Sequence, residues 1–372
     1  MTDVLILGAS ARAAIHSARR AGLTPHAADL FADRDATAYA TVRRCDLADY
    51  PDGLERLADT FPPMPWLYTG GLENHPELVD RVAAKRPLWG NCSAVLRGVR
   101  GQDGLFLLVA DDDDPPVPHF ETDADGDARM NWLRKSYGSS GGLGVAWATD
   151  LSPRAGTYLQ EFVTGLSLGV AVNSSGRNHT HLGTTEQLVG TEWLHAKEFR
   201  YAGNIGPISS DDGLREKLAH LINLVAGLAG LRNFWGMDVV VRNGEPILIE
   251  INPRYTASME VLEHVTGRCA LDGVQRREPV PGVVGKAVYY APHALRFPEV
   301  AAIERSIEVA ADPWVLPEYA DIPAVDSVID AGQPVLSFFE RAADAEVCRD
   351  ALKSRAAELD ALFARHRVEV AS

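Results

Sequence analysis

The first hundred residues alternate short apolar runs with segments of helical periodicity. Residues 4–10, VLILGAS, predict a buried strand and a turn, and the helix that follows is expected to end before Gly22. A second strand ending near Asp29 comes next, and the later segment WLYTGGLENHPELVDRVAAK repeats the order of strand, glycine turn and helix. This alternation predicts a doubly wound, Rossmann-like α/β domain. Only Gly8 of a GxGxxG fingerprint is in place, so no dinucleotide site is expected.

The pattern changes beyond residue 130, where predicted strands dominate. Residues 157–176 predict two strands separated by a turn at Gly165, and residues 213–231 have the apolar spacing of a long core helix. The segments FWGMDVVV and ILIEINPR, joined by RNGEP, predict a β-hairpin. The acidic, proline-bearing stretch 109–128 is interpreted as a solvated connection between the two regions.

The second strand of the hairpin carries polar side chains where a core strand would be apolar. Glu250, Asn252 and Arg254 fall on one side of a strand with a period of two. A carboxylate and an amide oxygen two residues apart can bind a hard cation, and Asp238 on the partner strand is the expected third ligand. The alternative is a buried ion pair between Glu250 and Arg254, which would be costly without a further use.

Asp238 and Glu250 can lie on the same face of the hairpin only if its two strands pair in a particular register. With a strict two-residue turn at 243–244, Asp238 would lie opposite Ile249 and would point away from Glu250. We therefore expect either a three-residue loop that begins at Arg242 or a bulge in one of the strands.

A second group of candidate residues follows a strand that ends at Lys135. The segment SYGSSGGLGV has four glycines between Gly138 and Gly144. Closely spaced glycines let backbone N–H groups approach an anion, and a lysine can add its charge to the same phosphate. The lysine precedes the glycines, so the segment is not a Walker A motif, and a flexible surface loop is the alternative. The nearby residues 160–163, QEFV, can present backbone groups and a carboxylate to a purine edge.

Composition adds exclusions to this picture. A chain of 372 residues is long enough for two or three packed domains around a cleft. The net charge of −15 argues against a nucleic-acid partner, whose phosphates would be repelled. The apolar run at the N-terminus is too short to span a membrane and lacks a preceding basic region, so a cytoplasmic protein is expected. The four cysteines are far apart and form no CxxC pair, so reduced thiols are expected.

The order of these motifs resembles the ATP-grasp superfamily. The resemblance rests on Lys135 with the glycine segment, on QEFV, and on MDVVV followed by ILIEINPR. The chain looks like the carboligase-like subgroup related to biotin carboxylase. Residues 285–339 resemble the C-terminal β domain of biotin carboxylase. The resemblance implies three units: a Rossmann-like domain over residues 1–110, ATP-grasp subdomains over 111–270, and a β-rich segment with a closing helix over 271–372.

The resemblance also implies residue roles. The glycine segment would close over the phosphates of ATP, Lys135 would contact a phosphate, and Arg254 would lie at the reacting phosphate. Nucleotide binding is expected at Lys135, Ser139, Ser140, Gly141, Gly142, Gln160, Glu161, Phe162 and Val163. Mg²⁺, or Mn²⁺, would be bound by Asp238, Glu250 and Asn252.

Two positions depart from the family pattern. The family usually has a first phosphate lysine before the grasp, but residues 95–120 contain no lysine, so either Arg97 or Arg100 replaces it or the contact is missing. In the family a ribose-binding acid often follows the segment that holds adenine, which the resemblance places at residues 160–163, and Ser167 is the candidate for ribose binding here.

The expected activity is that of a carboxylate–amine ligase. ATP would phosphorylate a carboxylate, and an amine would then attack the acyl phosphate to form an amide. The expected partners are small-molecule carboxylates and amines, with glutamate-type ligation in cofactor biosynthesis as one form that the resemblance suggests. Alternatives are a bicarbonate-activating carboxylase and a non-catalytic nucleotide-binding protein.

Some residues near the expected cleft have weaker assignments. Arg200, Tyr201 and Asn204 are candidate contacts to the acceptor substrate. His179, His181 and His195 are interpreted as surface or structural histidines, with general-base chemistry as the alternative. Dimers are common among relatives, so a homodimer is one expected assembly.

Overall fold

The computed structural model describes residues 2–100, Val117, Phe120–Glu121 and residues 131–368. Most of the predicted acidic connection at 109–128 lies outside the described residues. Among the described residues, no helix combines the length and apolar character that a membrane span requires.

The N-terminal unit is the predicted α/β domain. Its elements are β1 (Asp3–Leu7), α1 (Arg12–Arg20), β2 (Thr24–Asp29), α2 (Arg34–Thr37), β3 (Thr41–Arg44), α3 (Asp52–Ala58), β4 (Trp66–Tyr68), α4 (Pro76–Ala83) and α5 (Ser93–Arg100). The strands form a parallel sheet in the order β3-β2-β1-β4. Gly22, with φ of 77°, lies just past α1 as predicted, because glycine adopts a left-handed conformation at low cost. The carboxyl end of β4 leads through Gly70 and Gly71 into the turn that holds Glu73 and Asn74.

A small antiparallel sheet follows. It contains β5 (Phe120–Glu121), β6 (Trp132–Ser136), β7 (Val145–Trp147) and β8 (Thr157–Glu161) in the order β5-β8-β6-β7. Residues 138–144, which we call the glycine lid, connect β6 to β7. This places Lys135 beside one end of the lid.

The largest sheet has eight strands in the order β13-β12-β9-β10-β11-β14-β18-β16. The remaining elements of the chain are β9 (Leu166–Ser175), β10 (Asn178–Val189), β11 (Tyr201–Gly206), α6 (Asp212–Ala229), β12 (Asn233–Arg242), β13 (Glu245–Asn252), α7 (Ala257–Thr266), β14 (Val283–Tyr290), β15 (Leu295–Arg296), α8 (Ala301–Val309), β16 (Tyr319–Ala320), β17 (Val328–Ile329), β18 (Pro334–Ala342) and α9 (Ala345–Phe363). Because β11 pairs with β14, one sheet continues across the predicted boundary at 270–271, and the three-unit division stays a prediction.

Buried charges join the first and last parts of the chain. The Arg12 guanidinium on α1 donates to both oxygens of Glu260 on α7 and, 2.9 Å away, to Asp321 beside β16. Lys286 Nζ on β14 donates to Glu260 Oε2 at 2.9 Å. Buried charges are tolerated when they are paired and hydrogen-bonded, so this network sets the position of α1 against α7 and β14.

Candidate active site

The turn of the β12–β13 hairpin is shorter than the three-residue loop that was one of the two predicted arrangements. Arg242 pairs with Glu245, which leaves a two-residue turn at 243–244. Asn243 and Gly244 have φ angles of 55° and 80°, as type I′ hairpin turns require. The expected three-residue loop beginning at Arg242 is therefore wrong, because Asn and Gly both tolerate positive φ and close the hairpin without a third residue.

A bulge in β13 aligns the acidic side chains instead. Val239 lies opposite Leu248, but the register then shifts and Asp238 lies opposite Glu250, with Ile249 as the extra residue. Directly opposed residues share a face of the sheet, so the two carboxylates meet despite the two-residue turn. The predicted alternative of a bulge is present.

The acidic face has the donor set of a divalent-cation site. Asn252 Nδ2 donates to Asp238 Oδ2 at 3.1 Å, and Gln187 Nε2 donates to Asp238 Oδ1 at 2.8 Å. Burial and the charge on Glu250 raise the pKa of Asp238 to about 6. Opposed carboxylates on a sheet destabilise each other unless a cation compensates them, and Mg²⁺ prefers one or two carboxylates plus other oxygens. These residues therefore fit Mg²⁺ or Mn²⁺. Within the described residues, no cluster of three or more His, Cys, Asp or Glu side chains has metal-binding geometry.

The two charges of the EINPR segment have different partners, so the alternative of a Glu250–Arg254 ion pair is wrong. Glu250 Oε1 accepts a hydrogen bond from Arg100 Nη1. Arg254 Nε donates to Glu73 Oε1 at 2.9 Å, and its Nη2 donates to Asn252 Oδ1 at 3.0 Å.

Arg100 occupies the position where a phosphate lysine was expected. Its guanidinium donates to Asn74 Oδ1 at 2.9 Å, to Glu250, and to the backbone oxygen of Ser139 in the lid. Arg97, the other candidate, is exposed on the outer side of α5 and pairs with Glu77 and Asp80. The structure therefore brings Arg100, and not Arg97, to the predicted phosphate region.

The glycine lid is closed against the rest of the protein. Gly141 O accepts a hydrogen bond from Tyr201 N at 3.2 Å, and a Cβ on Gly142 would lie 1.8 Å from Phe199 O. Gly142 also has φ of 77°, so only glycine fits this close approach. Ser140 Oγ donates to Glu73 Oε1 at 3.1 Å and accepts from Asn74 Nδ2 at 3.0 Å.

Residues 160–163, QEFV, begin at the end of β8 and continue just beyond it, and β8 pairs with β6, the strand that holds Lys135. Burial lowers the pKa of Lys135 below its ordinary value, against the opposing effect of the Glu250 and Asp238 carboxylates. Gln160 is almost fully buried, and Glu161 Oε1 accepts from Arg242 Nη1 at 2.7 Å. Phe162 packs edge-on against Trp147, with ring centroids 4.8 Å apart, at the apolar end of the segment.

One cavity of about 330 Å³ lies between the small sheet and the large sheet, and the glycine lid, the acidic face and Arg254 line it. Every residue to which the sequence analysis assigned a catalytic, nucleotide-binding or metal-binding role lines it: Lys135, Ser139, Ser140, Gly141, Gly142, Gln160, Glu161, Phe162, Val163, Asp238, Glu250, Asn252 and Arg254. Arg100, Ser167, Tyr201 and Asn204 line it as well. The predicted positions are thus brought together, while their assigned roles stay predictions.

Some predicted residues lie elsewhere, and some cavity residues were missed. Arg200 does not line the cavity; its guanidinium stacks over the ring of Tyr290. His179, His181 and His195 are engaged with Ser174, Thr184 and Asp360, respectively. Sequence reasoning missed Gln187, which binds Asp238, because a glutamine on a central strand carries no motif signal.

A comparison with protein-family models matches residues 92–258 to the model described as the ATP-grasp domain. Residues 92–258 form an ATP-grasp domain. The predicted superfamily and fold class are therefore confirmed. No curated protein matches the sequence significantly.

Solved structures with similar folds cover nearly all of this chain. The L-amino acid ligase from Bacillus licheniformis has a TM-score of 0.67 at 13% identity, over 96% of this chain and 97% of that one. N5-carboxyaminoimidazole ribonucleotide synthetase from Thermotoga maritima has a TM-score of 0.65 at 14% identity, over 95% and 98%. The biotin carboxylase β,γ-ATP complex from Campylobacter jejuni has a TM-score of 0.63 at 13% identity, over 94% and 90%. These likenesses extend the shared fold beyond residues 92–258 to the N-terminal α/β unit and the C-terminal strands.

Proposed function

We propose that this ATP-grasp protein is an ATP-dependent carboxylate–amine ligase. The observation that carries the proposal is the single cavity in which the glycine lid, two opposed carboxylates and two arginines face one another. Phosphoryl transfer needs little covalent help from a protein, because it depends on positioning and on the neutralisation of phosphate charge. The cavity supplies both requirements.

The proposed reaction has two steps. A carboxylate oxygen of the substrate attacks the γ-phosphorus of ATP, the bond to the β-phosphate oxygen breaks, and an acyl phosphate and ADP form. The amine of the second substrate then attacks the acyl carbon and expels inorganic phosphate. The amine gives up one proton, and the product is an amide.

Cationic side chains of this chain would orient the phosphates and the acyl group. An arginine has five N–H donors, and Arg254 uses three of them on Glu73, Asn252 and the Tyr255 carbonyl. The other two donors have no partner in the described part of the chain, so they would be available to a phosphate or carboxylate in the cavity. Lys135 and Arg100 lie at the lid side and would hold the other phosphate oxygens.

Asp238, Glu250 and Asn252 would hold Mg²⁺ or Mn²⁺. When bound, such a cation neutralises charge on the reacting phosphates and aligns them. Two of the structurally similar proteins support ATP as the nucleotide. One is a biotin carboxylase–β,γ-ATP complex, and the other is an N5-carboxyaminoimidazole synthetase from Staphylococcus aureus that was solved with ADP.

The substrates are proposed at a coarser level. An L-amino acid ligase among the structural neighbours supports an amino acid as one substrate, with glutamate-type ligation as a candidate. The biotin carboxylase neighbour supports bicarbonate activation as the second candidate. In either case, Tyr201 and Asn204 at the cavity wall are the proposed contacts to the acceptor.

The test is a screen for ADP release with Mg²⁺ and ATP across pairs of carboxylates and amines, including bicarbonate alone. We expect release that requires both an organic carboxylate and an amine, and a fall of about 100-fold or more in Glu250→Gln. Glu245→Gln, which removes an exposed carboxylate from the same strand, is the matched control and should behave as wild type.

The screen separates the candidates. Release with bicarbonate and no amine would favour the carboxylase. Equal rates in the wild type and in Glu250→Gln would contradict the mechanism, and nucleotide binding without release across the panel would contradict the enzymatic assignment.

A further inference from the structure

We propose that Glu73 is a positioning residue that couples closure of the glycine lid to the orientation of Arg254. Glu73 belongs to the N-terminal α/β unit, outside the matched ATP-grasp domain of residues 92–258. It is fully buried and does not line the cavity, so it would act through the residues that it holds.

One carboxylate oxygen makes both contacts. Glu73 Oε1 accepts from Ser140 Oγ of the lid at 3.1 Å and from Arg254 Nε at 2.9 Å. Glu73 Oε2 is buried and has no hydrogen-bond partner among the described residues. A carboxylate that served only to pair with the arginine would favour a two-oxygen fork, whereas here both donors converge on one atom.

Charge explains why these contacts depend on each other. Burial alone would raise the pKa of Glu73, but the Arg254 and Arg100 guanidinium groups hold it below its ordinary value. The ionised carboxylate is therefore stabilised by its cationic neighbours and by the lid hydroxyl. When the lid opens, the carboxylate loses one of its two donors, and the constraint on the Arg254 side chain changes.

The adjacent residue repeats the arrangement with the other arginine. Asn74 Oδ1 accepts from Arg100 Nη2 at 2.9 Å, and Asn74 Nδ2 donates to Ser140 Oγ at 3.0 Å. A single lid serine thus contacts two neighbouring residues that each hold one cavity arginine. Lid closure and the placement of both cations are linked through the turn at Glu73–Asn74.

The consequence for the reaction rests on the proposed phosphoryl transfer. Two N–H groups of Arg254 have no partner among the described residues, and their direction is set when Nε is held by Glu73. Preorganised donors stabilise a transition state more than a ground state. Loss of Glu73 should therefore lower kcat more than it raises the KM for ATP.

The test measures hydrogen–deuterium exchange of lid amides 138–144 in the full chain without nucleotide, in a double-mutant cycle of Glu73→Gln and Arg254→Gln. We expect each single variant to exchange about three- to tenfold faster than the wild type, since each weakens a charge-assisted hydrogen bond. The double variant should be no faster than either single variant. Glu77→Gln, which removes an exposed carboxylate from the next helix, is the matched control and should match the wild type.

The outcomes are distinct. Unchanged lid exchange in Arg254→Gln, or effects that multiply in the double variant, would overturn the coupling. A lower unfolding temperature in Glu73→Gln with an unchanged lid would show a purely structural ion pair, and this would overturn it too.

Activity adds a second readout once a substrate pair is known. Glu73→Gln should lower kcat by about tenfold while the KM for ATP changes by less than about threefold. If no pair supports ADP release, the proposed function fails, but the exchange cycle still decides the role of Glu73. A wild-type kcat in Glu73→Gln would overturn the positioning role and leave the ligase assignment intact.

Discussion

Arg100 reaches the cavity where the sequence analysis expected a phosphate lysine or its replacement. Its planar guanidinium contacts Asn74, Glu250 and the lid backbone at once, whereas a lysine ammonium is a compact point charge with three rotatable donors. An arginine here can therefore bind phosphate and hold the lid with the same group. Arg97, one helical turn earlier, has only exposed acidic partners.

The first prediction compares these two arginines. Arg100→Met should weaken Mg-ATP binding by about tenfold or more, because the partly buried Glu250 loses its cationic partner and the proposed phosphate contact disappears. Arg97→Met is the matched control on the same helix and should bind with wild-type affinity, since exposed ion pairs contribute little. Isothermal titration with ADP and with a non-hydrolysable ATP analogue measures both, and equal affinities for the two variants would place the phosphate contact elsewhere.

The β12–β13 hairpin separates two structural tasks that the sequence analysis treated as one. The turn at 243–244 closes the hairpin, and the bulge at Ile249 sets which face Glu250 occupies. An extra residue in one strand changes which face of the sheet the following side chains of that strand occupy, relative to the partner strand. The acidic face therefore depends on the bulge, and the turn contributes stability.

The second prediction tests this separation. Gly244→Ala should lower the free energy of unfolding by about 1 kcal/mol, because alanine at a φ of 80° is strained even though no atom lies within 4 Å of its Cβ. Gly227→Ala, inside α6 and equally free of clashes, should raise the stability by about 0.5–1 kcal/mol. Chemical denaturation measures both changes. The Mg²⁺ dependence of nucleotide binding should stay at the wild-type value in both, and its loss in Gly244→Ala would show that the turn aligns the site.

At the level of the whole molecule, buried charges hold the α/β unit against the large sheet. His16 lies next to this network on α1, where burial and then the charges on Arg12 and Arg20 lower its pKa to about 3 from 6.5. Between these values the unfolded chain binds a proton that the native protein does not, so the His16 contribution to stability falls as the pH falls.

The third prediction concerns this titration. Between pH 7 and pH 5, the wild type should lose about 2 kcal/mol of stability relative to His16→Gln, because only the wild type has the histidine that must stay neutral. Burial raises the pKa of Asp35 to about 6, so the Asp35 contribution to stability changes with pH in the opposite direction. Asp35 is present in both proteins, so its contribution largely cancels in the comparison. Denaturation curves at the two pH values give the difference, and a constant gap would show that His16 takes up its proton over the same pH range in the native protein as in the unfolded chain.

Local pattern was sufficient for many features of this protein. The strand–turn–helix repeats, the C-terminal glycine of α1, the hairpin and the glycine lid depend on the spacing of neighbouring residues, which periodicity and turn chemistry report directly. Local pattern also predicts that Glu250 and Asn252 share a face of the strand, because they are two residues apart. All thirteen residues assigned to the site line one cavity because they belong to motifs of this kind.

Tertiary structure decided the contacts between segments that are far apart in the chain. The bulge at Ile249, the choice of Arg100 over Arg97, and the convergence of Ser140 and Arg254 on Glu73 depend on how separate elements pack. A carboxylate in a turn has the same local signature whether it faces solvent or holds an arginine from 181 residues away. The spacing of residues in the sequence determines which side chains share a strand, a helix or a face. Which charged groups form ion pairs depends on how these elements pack, because Coulomb and hydrogen-bond energies depend on distance in space.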